Sequence, residues 1–246
     1  MPASVQEQYF PETRFGGFSR VDGTVAFFTR VQALVRGARV VVDFGCGRGA
    51  RQDDTCAFRR ELADLRSSDR TVIGLDVAAA ARDNPFIDVF HQIEEAGKWP
   101  LENDSVDLVV SDFVLEHLKD PMFFFSEVYR TLRPGGYLCA RTPNKWGYVA
   151  IISRLVPRRR RGQLLTALQK TRKQKDVFQT FYRSNTRHSL RHVLESRRME
   201  HVILPIESEP NYLAFSRGLY RCGVFLHRMI PDQFKSTLLI FAQKRE

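Results

Sequence analysis

Three glycines at alternate positions, Gly45, Gly47 and Gly49, follow directly on the apolar run Val40–Val42 and the pair Asp43-Phe44. Glycine removes the side chain where the backbone must turn sharply and a ligand must come close to it. Asp43 stands just ahead of the loop, and Asp76 ends the stretch RTVIGLD, residues 70–76. A carboxylate there can accept from two neighbouring hydroxyls at once. Further along, SDFVLEH, residues 111–117, gathers Ser111, Asp112, Glu116 and His117. An imidazole titrates near neutral pH, so His117 is the first candidate for a general base, and Asp112 is the second. A Glu-His pair also suits a structural role, packing a helix against its loop. Asn144 and Lys145 belong to the same neighbourhood. The four cysteines (Cys46, Cys56, Cys139, Cys222) form no CxxC pair, and no carboxylate cluster suits a metal. The expectation is reduced thiols and no metal.

These residues need a scaffold that brings strand ends together. Val40–Val42 are continuous and β-branched, which reads as a strand buried on both faces and hence a parallel sheet covered by helices. Strands are predicted over 40–42, 70–76, 86–90, 105–111, 137–142, 201–206 and 237–243. A helix is predicted over 21–36, capped by Asp22 and carrying Val25, Phe28, Val31, Ala33 and Leu34 broadly on one side. Others are expected over 56–65, 113–132 (broken near its start by Pro121 and stopped by Pro134-Gly135-Gly136) and 187–198. The alternation predicts an α/β fold with a doubly wound, seven-stranded, mostly parallel sheet. The chain reads as one domain over 1–246, with an N-terminal arm and helix over 1–36. Helical insertions follow strands five and six, at 145–186 and 208–236.

At 246 residues and 43% hydrophobic, the chain is long enough for one well-cored domain. No apolar run reaches a membrane span, and MPASVQEQYFPETRFGG lacks the apolar core of a signal peptide, so a cytoplasmic protein is expected. Net charge is +10, and nine basic residues with no acid lie between Arg154 and Lys175. Subtracting those nine leaves the rest of the chain at +1. Such a block suits nucleic acid, a membrane surface or an anionic substrate, and equally a solvated helix face.

The spacing G-x-G-x-G with an acid before it is not the dinucleotide fingerprint G-x-G-x-x-G, and there is no lysine-containing phosphate loop. The loop resembles motif I of the class I S-adenosylmethionine-dependent methyltransferases of the type 11 kind. WPLENDSVDLVVSDFVLEHLKDP (99–121) and TLRPGGYLCARTPN (131–144) resemble that family's later motifs in the expected order. The resemblance covers roughly residues 39–144. It implies S-adenosyl-L-methionine as cofactor, with Gly45, Cys46 and Gly47 against its methionine part. It also implies Asp43 at its amino group or a bridging water, Asp76 at the ribose, and Val77 on the adenine. Ile93 packs beside the ring on this reading, and either Glu94 or Glu95 meets the adenine amino group. The Ser111 carbonyl lies under the sulfonium. The arm RFGGFSRVDG, residues 14–23, either folds over the cofactor with Arg20 pairing its carboxylate, or is a surface arm ending in the cap at Asp22.

TPNKWGYVAIISRLVP (142–157) and KDVFQTFYRSNT (175–186) resemble methyltransferases of bacterial polysaccharide and glycan gene clusters. O-methylation of a saccharide or glycan hydroxyl is therefore the leading expectation, with Trp146, Tyr148, Phe181 and Tyr182 suited to sugar rings or to the core. Another small molecule or lipid as acceptor, RNA methylation using the basic block, and a non-catalytic cofactor-fold binding protein are the alternatives. Over 147–175 an apolar stretch beside arginines would suit peripheral contact with an anionic membrane.

Overall fold

The computed structural model describes residues 4–148, 150–151 and 179–245. The basic block and the short helices expected in that insertion lie outside the described residues.

Val40–Phe44 forms strand β1, paired in parallel on one side with β2 (Thr71–Asp76) and on the other with β4 (Val106–Asp112). Strand β3 (Val89–Gln92) lies parallel outside β2, and β5 (Leu132–Pro143) lies parallel beside β4. The last strand, β7 (Thr237–Lys244), runs antiparallel between β5 and β6 (Met199–Ile206). The order is therefore β3-β2-β1-β4-β5-β7-β6. Strands two and three leave β1 on one side and four and five on the other. That reversal opens a crevice over the carboxyl ends of β1 and β4.

The helices are α1 (Val5–Tyr9), α2 (Gly23–Val35), α3 (Ala57–Ala63), α4 (Pro121–Thr131), α5 (Arg187–Ser196) and α6 (Arg217–Met229). Successive strand residues face opposite sides of a sheet. Val41, Leu108 and Val110 thus meet Phe27, Phe28 and Val31 of α2 on one face. Val42 and Val109 meet Phe124, Phe125 and Val128 of α4, with Leu190 and Leu194 of α5, on the other. Each fully buried Phe of this kind contributes about 1.5–3 kcal/mol relative to exposure, so continuous valine runs with two flanking apolar helix faces are enough to hold the layers. Asp22 caps α2 as expected, accepting from the backbone N–H groups of Thr24 and Val25 at 2.8 and 3.0 Å.

Three boundaries differ from expectation. The helix expected from residue 113 begins at Pro121, because Asp120 caps it by accepting from Phe123 N–H and proline fits the first helical position. Phe113, at φ 57°, turns the chain instead. Pro134-Gly135-Gly136 does not stop a helix; it lies inside β5, where the register against β4 shifts. A Cβ on Gly136 would sit 2.9–3.1 Å from the carbonyls of Arg133, Asp107 and Val106, so only glycine permits that irregularity. The third strand starts at Val89 because Asn84 forms a turn, accepting from Phe86 N–H.

Lys244, in β7, is almost fully buried. Its ammonium donates to the carbonyls of Tyr129 and Leu132, each at 2.8 Å, where α4 passes into β5, and to Asp104 at 2.6 Å. Lys244→Met keeps the stem and leaves those carbonyls without a donor. We expect stability to fall by about 1–3 kcal/mol in urea melts; an unchanged midpoint would show the cluster to be idle.

Candidate active site

The three loop glycines have different reasons to be glycine. All have positive φ, at 70°, 54° and 73°. A Cβ on Gly45 would enter the side chain of Val114, and one on Gly49 would lie 2.7 Å from Asn84 Oδ1 and from Pro85 Cδ. Those two are packed against protein. A Cβ on Gly47 would meet nothing within 4 Å. Gly47 is therefore the point at which the loop faces open space.

The loop is fixed from below. Gly45 N–H donates to Leu75 O at 2.7 Å. Asp76 accepts from Gly47 N–H at 2.9 Å through one oxygen and from Ala78 N–H at 2.8 Å through the other. Asn84 donates to Cys46 O at 2.8 Å. Burial, with Asp43 and Asp76 nearby, pushes the Cys46 thiol up to about 12, so it is no nucleophile at neutral pH. Val77 follows Asp76 and is 46% exposed, an apolar surface at the crevice.

Asp43 is buried, and burial pushes its carboxyl above the usual range against the opposing pull of Arg51. Arg51 reaches it at 3.2 Å and lies over the Phe28 ring. Asp112 accepts from Arg141 through both oxygens, at 2.7 and 2.8 Å. Arg141 also donates to Thr24 Oγ1 at 3.0 Å and stacks over Phe113. Asp112 thus stands at the crevice as an ion-pair partner, both oxygens engaged, rather than as an unengaged base. Removing one partner of such a buried pair costs about 3–5 kcal/mol.

His117 ends a 3₁₀ turn, Leu115–His117, beyond β4. Its Nδ1 lies 2.8 Å from Gln179 O, which fixes Nδ1 as the protonated nitrogen and leaves the lone pair on Nε2. Nε2 is 3.8 Å from Glu116 Oε1. Glu116 is buried; its side chain accepts from Thr142 Oγ1 at 3.1 Å, and its carbonyl accepts from Phe181 and Tyr182 N–H. Asn185 donates to the same Thr142 hydroxyl. Asn144 donates to the carbonyls of Gln233 and Lys235, so it braces the second insertion. Lys145 N–H donates to Asn185 O.

The remaining predicted residues sit as follows. Ser111 is fully buried in β4, with no hydrogen-bond partner for its Oγ. Ile93 donates its N–H to Asp76 O and packs on the core beside β2. Glu95 pairs with Lys119 at 2.6 Å, whereas Glu94 is exposed at a tight turn closed by Gly97 N–H. Arg20 pairs with Glu12 at 3.0 Å and lies over Phe10, so it turns back onto the arm. The arm packs on α3: Phe18 stacks on Phe58, and Arg59 bridges Asp22 and Asp54. Among the described residues no cluster of His, Cys, Asp and Glu could hold a metal. Arg51, Asn84, Arg141 and Gln179 were not anticipated. Of these, Arg141 left a signal: it is a charge inside an otherwise apolar strand, in register with Asp112.

Residues 42–140 match the family model described as a methyltransferase domain. That segment is similar to methyltransferase domains. A probable S-adenosylmethionine-dependent methyltransferase of Mycolicibacterium smegmatis is 39% identical over 112 residues, covering 44% of this chain and 39% of the relative. A malonyl-[acyl-carrier protein] O-methyltransferase of Hahella chejuensis is 31% identical over 104 residues, covering 42% of this chain and 36% of the relative. The chain spans about two-fifths of the length of the curated relatives it matches. The fold agrees with a solved S-adenosylmethionine-dependent methyltransferase from Mesorhizobium loti, with a TM-score of 0.55 at 19% identity, over 91% of this chain and all of that one.

The residues present fit S-adenosylmethionine, which the name of the relative from Mycolicibacterium smegmatis carries. Open space at Gly47 allows close backbone approach. Asp76 keeps lone pairs for hydroxyls beyond the two amides it binds, and Val77 offers an apolar face for a ring. Gly47→Val should abolish cofactor binding, and Asp76→Ala should weaken it by about 1–3 kcal/mol. Titration calorimetry on folded variants checks both; unchanged affinity in both would refute this placement.

Proposed function

We propose that the chain methylates a hydroxyl oxygen, with a saccharide or glycan as the leading acceptor. The observation that carries this reading is His117: its Nδ1–H is held by Gln179 O, and its Nε2 lone pair lies at the carboxyl end of β4. When bound, S-adenosylmethionine supplies a methyl group already activated by its sulfonium. What is left to the protein is alignment and deprotonation. A neutral hydroxyl is a weak nucleophile, so a base that takes its proton as the oxygen attacks raises the rate. His117 Nε2 takes that proton, and Glu116, 3.8 Å away, favours the resulting imidazolium. Trp146, 51% exposed just beyond β5, offers a ring on which the apolar face of a sugar can stack.

A second reading rests on the relative from Hahella chejuensis, whose name gives a malonyl thioester of a carrier protein as its substrate. A carboxylate acceptor is already ionised and needs no base. The two readings therefore differ at one residue. For a hydroxyl acceptor, His117→Ala should lower turnover by ~10²–10⁴ while cofactor affinity holds. Labelled cofactor is supplied with glycan, lipid and RNA extracts and with malonyl carrier protein, and the labelled fraction is taken into the kinetics. A stable His117→Ala variant at full activity would sink the base assignment. Label in RNA alone would sink the saccharide reading.

A further inference from the structure

A group of exposed apolar side chains lies away from the crevice. It lies on α6 and the turn before it: Phe215 is 70% exposed, Phe225 62% and Met229 67%, with Leu219 and Leu226 also exposed. At 3.6 residues per turn, Leu219, Cys222, Phe225, Leu226 and Met229 fall within a sector of about 120°. Tyr220, Gly223 and Val224 face the other way and are buried. There Tyr220 meets Tyr9 of α1, and a Cβ on Gly223 would crowd Leu213 and Pro210. The helix is thus fixed to the body by one face and presents an uncovered apolar one.

Its charge says what fits. Arg217, Arg221 and Arg228 cluster along one edge of the apolar sector, and no acid occurs between Glu209 and Asp232. A second copy of the chain would bring two rows of arginines together, which opposes pairing through this face. An apolar surface that is also anionic satisfies both features. The start of the first insertion lies beside the same helix, because the Tyr148 ring packs on His227 at 5.2 Å. Trp146 and Ile151, on either side of Tyr148, are exposed. Only two residues of sequence separate Ile151 from Arg154, the first of the nine basic residues. The described chain therefore reaches the start of the basic segment on the side where α6 sits.

We propose that α6 lies in the interface of an anionic membrane, with Phe225, Leu226 and Met229 entering the acyl boundary and Arg217, Arg221 and Arg228 meeting lipid headgroups. This attaches the chain to a surface without any span; no described helix is long and apolar enough to cross a membrane. The site is independent of the acceptor of the methyl group.

The test is flotation of the full chain with vesicles of phosphatidylglycerol and phosphatidylcholine in equal parts, and with phosphatidylcholine alone. Binding is expected to the first and not the second, and is released at high salt. Replacing Arg217, Arg221 and Arg228 with glutamine should weaken it roughly 150-fold, at about fivefold per residue. The double variant Phe225→Ser, Leu226→Ser should weaken it at least about tenfold. The unsubstituted protein gives a second readout, since Cys222 is exposed on this face while the other three cysteines are buried. A polarity-sensitive fluorophore on Cys222 should shift to the blue on the anionic vesicles. Absence of flotation would overturn the proposal. So would flotation with no shift at Cys222, or flotation lost only when Arg158 to Arg161 become glutamine. A dimer that the Phe225 and Leu226 variant dissociates, or an RNA complex with the same dependence while vesicles are ignored, would name a different occupant.

Discussion

Three carboxylates converge where the central strands end, and the crevice depends on how that charge is balanced. Asp43, Asp76 and Asp112 close β1, β2 and β4, which are neighbours in the sheet. Asp76 and Asp112 both push the carboxyl of the buried Asp43 upward. Left alone, such a cluster would take up protons or repel itself apart. Two arginines prevent this from opposite directions. Arg51 comes from the turn after the glycine loop, and Arg141 comes from within β5. They neutralise Asp43 and Asp112. Asp76 receives backbone N–H groups, so of the three carboxylates it is the one without an arginine partner. S-adenosylmethionine carries a sulfonium, an ammonium and a carboxylate, one net positive charge. The arginine pairs therefore hold the strand ends in place and leave Asp76 unneutralised, which would suit a cofactor of net positive charge such as S-adenosylmethionine.

This balance explains which parts were legible in the sequence. The sheet was, because apolar runs such as Val40–Val42 and Leu108–Val110 require burial on both faces, and strands joined by amphipathic helices admit few arrangements. Asp43, the glycines and Asp76 were legible too, because their spacing carries the resemblance to a known loop. What the sequence hid were partners supplied from a distance. Nothing local says that Arg51 turns back on Asp43, or that Gln179 meets His117 across 62 positions. The residue ends of elements were hidden for a related reason. Pro134-Gly135-Gly136 carries the composition of a stop signal, yet the neighbouring strand continues to pair across it as an irregular register. Arg20 illustrates the same limit: its charge suited a carboxylate, and the nearest one belongs to Glu12 of its own arm.

The second half of the chain is tied to the site through Glu116 and its neighbours. Glu116 accepts from Thr142 with its side chain, and with its carbonyl from Phe181 and Tyr182, where the described chain resumes after the first insertion. On the other side of that insertion, Lys145 N–H is held by Asn185 O, and Asn144 holds Gln233 and Lys235 of the second insertion. Both ends of the first insertion are thus fastened around β5 and the turn bearing His117. Glu116 is buried and bonded through both side chain and carbonyl, so moving it is costly, since each lost bond exposes an unsatisfied group. The insertions cannot be rearranged at their roots without disturbing His117. On the proposed role of His117 as base, acceptor specificity carried by these segments would act through the position of that residue as well as through contact. The segments after β5 thus reach the carboxyl end of β4 through Glu116 and its neighbours.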